Sequence, residues 1–250
     1  MLLLTVAACS AQEQASLREP DDSSRLRVAS VAEANGQPSV ALSIYSVEAT
    51  GHPDDAEAQV RYATALMRAG GVAQANEVLT RALQRMPDEP ELLIQSGKIR
   101  LLAGDAGAGA LFDRALTFDP SNASALSGKG MALDLAGHHD EALPWHAAAM
   151  KAAPDNLIIG NNHAVALMLV GRTGEAIAIL NTLAQRQDAP DRVMNNLALA
   201  YAMAGHPDEA RSVLRSHIGE VDFERYARLM QLTADVVHTP RASPLPRSTP

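Results

Sequence analysis

The densest set of metal-ligating side chains is His138-His139, with His146 further along the chain. His139 and His146 lie seven residues apart, about two turns of a helix, and no carboxylate triad accompanies them. Ser127-Gly128-Lys129-Gly130 has the flavour of a phosphate loop, but it lacks the preceding strand and the full glycine spacing that cradle a phosphate. It falls inside a predicted helix, with Gly130 at a position where a small residue lets helices pack. Gly104-Asp105-Ala106-Gly107-Ala108-Gly109 reads as a turn rather than a dinucleotide fingerprint. No serine elbow or zincin signature occurs. The sole cysteine, Cys9, permits neither an internal disulfide nor a cysteine-based metal cluster. These residues predict no catalytic site, no metal and no cofactor.

The elements that would position such groups are helical. The chain of 250 residues is rich in Ala and Leu and has only three Phe, four Tyr and one Trp, a composition that favours helix over strand. Its formal net charge of -8, with no Lys/Arg run, argues against nucleic-acid binding. Gly recurs at 36, 70, 104, 137, 171 and 205, and Ala at 41, 75, 108, 142, 176 and 210. Pro53, Pro87, Pro120 and Pro154 keep the same rhythm, and Pro190 falls two residues late. Each phase has a physical reason. Gly caps a first helix in the left-handed conformation, Ala sits where the second helix crosses the first, and Pro interrupts the chain before the next unit. A period of 34 residues with these phases resembles the tetratricopeptide repeat. The resemblance implies an all-α, right-handed superhelix of helix pairs.

Six units are expected, starting near Asp22, Ala56, Pro90, Ala123, Leu157 and Asp191. The third is one residue short between Gly104 and Gly109. A further amphipathic helix, from about Asp222 to Val236, is expected to cap the array. The array is read over residues 25–237, preceded by a polar linker at 10–24 and followed by a Pro/Ser-rich tail at 238–250.

First helices are expected to line the concave side, with positions 2, 5, 6, 9, 12 and 13 of each unit on one face. On this reading Arg61, Lys98, Asp134, Asn161, Asn162, Asn195, Asn196 and Leu199 line a peptide-binding groove. Asn161-Asn162 and Asn195-Asn196 recur one period apart. Each Asn offers a donor and an acceptor, which suits the unpaired backbone of an extended peptide. The same side chains could instead tie neighbouring helices together. Repeat proteins that clamp a C-terminal carboxylate carry Lys at position 5 and Asn at position 9. Here those positions hold Ile94 and Lys98, Asn161 and Val165, or Asn195 and Leu199, which argues against a carboxylate-clamp co-chaperone.

At the other end, Val6-Ala7-Ala8-Cys9 resembles a bacterial lipobox. The resemblance implies that residues 1–9 are a signal segment and that Cys9 is lipidated. It departs from the pattern in having a short apolar run with no Lys or Arg before it; a start further upstream would account for both. Ser10, rather than Asp, after the Cys implies sorting to the outer membrane. No stretch reaches the roughly 18 apolar residues of a spanning helix, so the lipid is the expected membrane contact.

The lipobox, Asn161-Asn162-His163-Ala164-Val165-Ala166-Leu167 and, above all, Asn195-Asn196-Leu197-Ala198-Leu199-Ala200-Tyr201-Ala202-Met203-Ala204-Gly205 together resemble the TadD family of tight-adherence (Flp) pilus-assembly lipoproteins. That resemblance implies a non-catalytic, periplasm-facing adaptor at the outer membrane that helps localise or assemble the pilus secretin. The alternatives are a type IV pilotin-like lipoprotein and an anchored adaptor or regulatory subunit of a cell-envelope enzyme.

Overall fold

A computed structural model describes residues 22–105 and 107–217. The expected signal segment with Cys9, the capping helix and the C-terminal tail lie outside the described residues.

Among the described residues the chain forms twelve α-helices and no strand. Six first helices begin at the six residues that the repeat phase marks: α1 (Asp22–Ala34), α3 (Ala56–Arg68), α5 (Pro90–Leu102), α7 (Ala123–Leu135), α9 (Leu157–Leu169) and α11 (Asp191–Met203). The second helices are α2 (Pro38–Gly51), α4 (Val72–Arg85), α6 (Ala108–Phe118), α8 (His139–Ala152), α10 (Thr173–Ala184) and α12 (Pro207–His217). Starts are set by local chemistry. Asp55 accepts from the Glu57 and Ala58 amides, and Asn122 and Asn156 cap α7 and α9 in the same way. Pro90 opens α5, where its missing N–H costs nothing.

First helices stop at the periodic Gly, all six of which have φ between 70° and 83°. Gly137 shows why. Its N–H reaches the Asp134 carbonyl at 3.0 Å and the His138 N–H reaches that of Leu133 at 2.9 Å. This pairing of orphan carbonyls requires a left-handed residue after the helix. In the other repeats the second helix begins two residues after this Gly, but α6 begins four residues after Gly104. The short third unit has therefore lost the first turn of its second helix.

The described helices fall into two compact units, one running through Ala75 and one from Asn76. In the first, α2 packs on α1 and α3 around Ala29, Ala32, Ala41, Tyr45 and Ala65. In the second, α6, α8 and α10 each pack on their own first helix and on the next one, α12 packs on α11, and the first helices α5, α7, α9 and α11 also pack in series. This is how helix pairs that cannot bury an apolar face alone make a shared core. The crossing positions Ala41, Ala75, Ala108, Ala142 and Ala176 are 0% exposed and Ala210 3%.

Glycine also makes room inside the second unit. A Cβ on Gly128 would lie 2.2 Å from the Phe112 ring, one on Gly97 2.6 Å from it, and one on Gly130 2.7 Å from the His146 ring. Phe112 of α6 is thus held between α5 and α7. The Ser127-Gly128-Lys129-Gly130 segment is interior helix, and its glycines seat two rings.

Candidate functional site

Along the first helices of the second unit, positions 5 and 6 form a ladder. Asn162 (position 6 of α9) donates to Ser127 Oγ (position 5 of α7) at 3.2 Å, and also approaches Met131 Sδ at 3.4 Å. Asn196 (position 6 of α11) donates to Asn161 Oδ1 (position 5 of α9) at 2.8 Å. Asn161 is 4% exposed and Ser127 5%. The sequence places Asn161 on the open face; the structure places it between helices. The reason is that the next first helix packs over position 5, so this row becomes an inter-repeat contact. Ile94, at the same position of α5, is 1% exposed for the same reason. Asn195 is half-buried, and its Oδ1 is buried without a partner among the described residues.

The ladder carries a prediction. Removing the Asn161 side chain leaves the Asn196 amide without its acceptor. Asn161→Ala should therefore cost about 1–3 kcal/mol, while Asn162→Ala, whose partners are a hydroxyl and a thioether, should cost about 0.5–1.5 kcal/mol. Denaturant unfolding of the two variants measures the difference. Equal losses would show that Asn161 does not tie α9 to α11.

Part of the surface that remains open is apolar. Leu102, Leu135 and Leu169 occupy position 13 of three consecutive units and are 70%, 50% and 47% exposed, and Met131 beside them is 39% exposed. Lys98 and Leu199, both at position 9, are partly buried. Burial holds the Lys98 ammonium below the usual lysine value, with Glu91 pulling the other way. Arg61 belongs to the first unit, where it pairs with Glu48 at 3.3 Å and Glu57 at 2.7 Å.

The histidines flagged by the sequence converge on Asp134. His139 Nδ1 donates to Oδ1 at 2.9 Å and His146 Nε2 to Oδ2 at 2.8 Å, while His138 pairs with Glu141. His146 is 1% exposed, and its other ring nitrogen is buried without a partner among the described residues. On α9, His163 is held below the usual histidine value by burial first, then by His146 and Arg172, against Glu175. Among the described residues no group of three or more His, Cys, Asp or Glu is placed to hold a metal ion. No described helix is long and apolar enough to cross a membrane.

Paired helices stacked on buried alanines, with a row of exposed leucines on the first helices, define a helical-repeat protein. Two family models, both described as tetratricopeptide repeat, match it, one over residues 60–123 and 103–156 and the other over residues 192–216. The fold is that of tetratricopeptide-repeat helix pairs. It is 29% identical over 165 residues, 62% of its length, to cellulose synthase operon protein C of Xanthomonas axonopodis pv. citri (strain 306), and spans 11% of that relative. Among solved structures, a tetratricopeptide repeat protein from Parabacteroides merdae ATCC 43184 superposes with a TM-score of 0.69 at 14% identity, covering 87% of each chain. PilF of Pseudomonas aeruginosa gives 0.61 at 13% identity, covering 83% of this chain and 97% of its own. At these identities the structural likeness is one of fold. The fold is typical of non-enzymatic scaffolds, whose repeats bind other proteins or peptides.

The repeat phase already puts Leu102, Leu135 and Leu169, which recur at spacings of 33 and 34 residues, on this first-helix face beside the Asn pairs.

Proposed function

We propose that the chain is a non-catalytic scaffold that holds a segment of another protein on the first-helix face of its second unit. The observation that carries this is the row Leu102, Leu135 and Leu169, exposed at one phase of three successive repeats. Large apolar side chains repeated at the surface lower the free energy only when covered. Partner choice then rests on the polar groups between them.

Within this reading the chain works at the periplasmic side of the outer membrane, held by a lipid on Cys9, and assists tight-adherence (Flp) pilus assembly by placing the secretin. The support is the lipobox-like Val6-Ala7-Ala8-Cys9 and the Asn-Asn segments at 161–167 and 195–205 that resemble TadD. The similarity to cellulose synthase operon protein C favours a second reading, an adaptor for an envelope enzyme.

The test is affinity capture of the tagged full chain from detergent-solubilised envelopes, beside a Leu102→Ser/Leu135→Ser/Leu169→Ser variant. Secretin or other pilus-assembly components recovered by the parent and lost by the variant are expected. A polysaccharide synthase or cell-wall enzyme in their place moves the function to the second reading. The same partners recovered by the variant would overturn the leucine row as the docking face. In parallel, Cys9→Ser should move the protein from the membrane to the soluble fraction, and unchanged fractionation would remove the lipid anchor from the scheme.

A further inference from the structure

Between the exposed leucines lies a pocket of about 290 Å³ whose chemistry is more specific than an apolar groove. Its walls are Leu101, Met131, Leu135, Val165 and Leu169, and its polar groups are Asp134, His146 and Asn162. These polar groups have one sense. The Asp134 carboxylate accepts one N–H on each oxygen, from His139 and His146, and a carboxylate can accept about four. Among the described residues it has no Lys or Arg partner. Asn162 directs its amide nitrogen to Ser127 and Met131, so its carbonyl oxygen is what it can offer a ligand. The histidines already direct ring N–H groups to the carboxylate. The pocket therefore presents acceptors and a negative charge at the end of an aliphatic slot.

A ligand that satisfies both parts has an apolar stem and a cationic, donor-rich tip. Lys and Arg side chains are built this way: their methylenes lie along apolar surface while the head finds an anion. We propose that this pocket receives a Lys or Arg side chain from the bound segment of the partner, its stem against Leu101, Leu135 and Leu169 and its head on Asp134 and Asn162. This rests on the scaffold reading above and names the partner's chemistry: a basic residue flanked by apolar ones that meet the leucine row. An acidic segment is excluded from this pocket by the Asp134 charge.

The experiment uses the full chain with methionine methyl groups isotopically labelled, so that Met131 reports from inside the pocket. The probes are extended pentapeptides, capped at both ends, that differ only at a central Arg, Lys, citrulline, norleucine or Glu. The Arg and Lys peptides should shift the Met131 methyl resonance and bind about tenfold more tightly than citrulline or norleucine, which keep the stem and lack the charge. Asp134→Asn should erase that preference. Equal binding of norleucine and Lys, a preference for Arg that survives Asp134→Asn, or no peptide shift at Met131 would each overturn the pocket. The comparison of Lys with norleucine needs only the parent protein, so it stands even if the variant folds poorly. Shifts confined to other methionines, such as Met203, together with successful partner capture would leave the scaffold standing and the pocket refuted. Failure of capture as well would remove both.

Discussion

Phe112→Ala should cost about 3–5 kcal/mol and should do so locally. The ring is 0% exposed and packs with Leu93, Ile94, Leu111, Ala115 and Ala125. Glycines face it on both sides, Gly97 from α5 and Gly128 from α7. Glycine has no side chain to swing into the space an alanine would leave. Refilling it requires the helix backbones to move, so the cavity term persists. The reciprocal change also destabilises. Gly128→Ala gains about 1 kcal/mol of helix propensity, but its Cβ would sit 2.2 Å from the ring, and overpacking of this kind costs about 1–3 kcal/mol. The two sites touch, so their effects should not add. Phe112→Leu should lower the cost of Gly128→Ala, because the smaller side chain vacates the clash. Because stability in a repeat array is a sum of units and their interfaces, α5–α7 should lose hydrogen-exchange protection at lower denaturant than α9–α11. A cost for Phe112→Ala below about 1 kcal/mol, or strict additivity of the pair, would mean that the ring does not hold α5 and α7 together.

How much of this could be read from the residues depends on whether the constraint is local. The Gly after each first helix answers to its own φ, and the Ala of each second helix answers to one crossing, so both recur wherever the unit recurs. That is why the six helix starts from Asp22 to Asp191 follow from spacing alone. The face assignments are different. A helical wheel puts positions 5, 6, 9 and 13 within one arc, but the neighbouring first helix covers part of that arc. Asn161 and Ile94 are buried by it, while Leu135 one period below Leu169 is left open. No residue in a single unit reports how far its neighbour reaches. The convergence of His139 and His146 on Asp134 was likewise out of reach. The sequence places the three in one repeat, but it does not show that Gly130 lets the His146 ring approach α7. The function is the least legible layer. Partner choice lives in groove side chains that the fold leaves free to vary.

Ala142→Leu tests the repeat geometry that all of these assignments presuppose. Ala142 lies on α8 and is 0% exposed, as are Ala41, Ala75, Ala108 and Ala176 at the same phase. A small residue at this phase in every unit means that the distance between paired helices, and not merely burial, is what it sets. The three added carbons of Leu have no cavity to enter. They must push α8 away from α7, at a cost of about 1–3 kcal/mol. Ala147→Leu on the exposed side of the same helix should stay within about 0.5 kcal/mol, which separates packing from helix propensity. The displacement should also be felt at the candidate site. His146 is one turn along α8 and its ring reaches Asp134 at 2.8 Å, so moving α8 stretches that contact and loosens the floor of the pocket. Ala142→Leu should therefore weaken binding of the basic pentapeptide along with stability, whereas Ala147→Leu should change neither. An Ala142→Leu protein as stable as the parent would mean that the α7–α8 interface is slack, and that something other than helix spacing accounts for the alanine period.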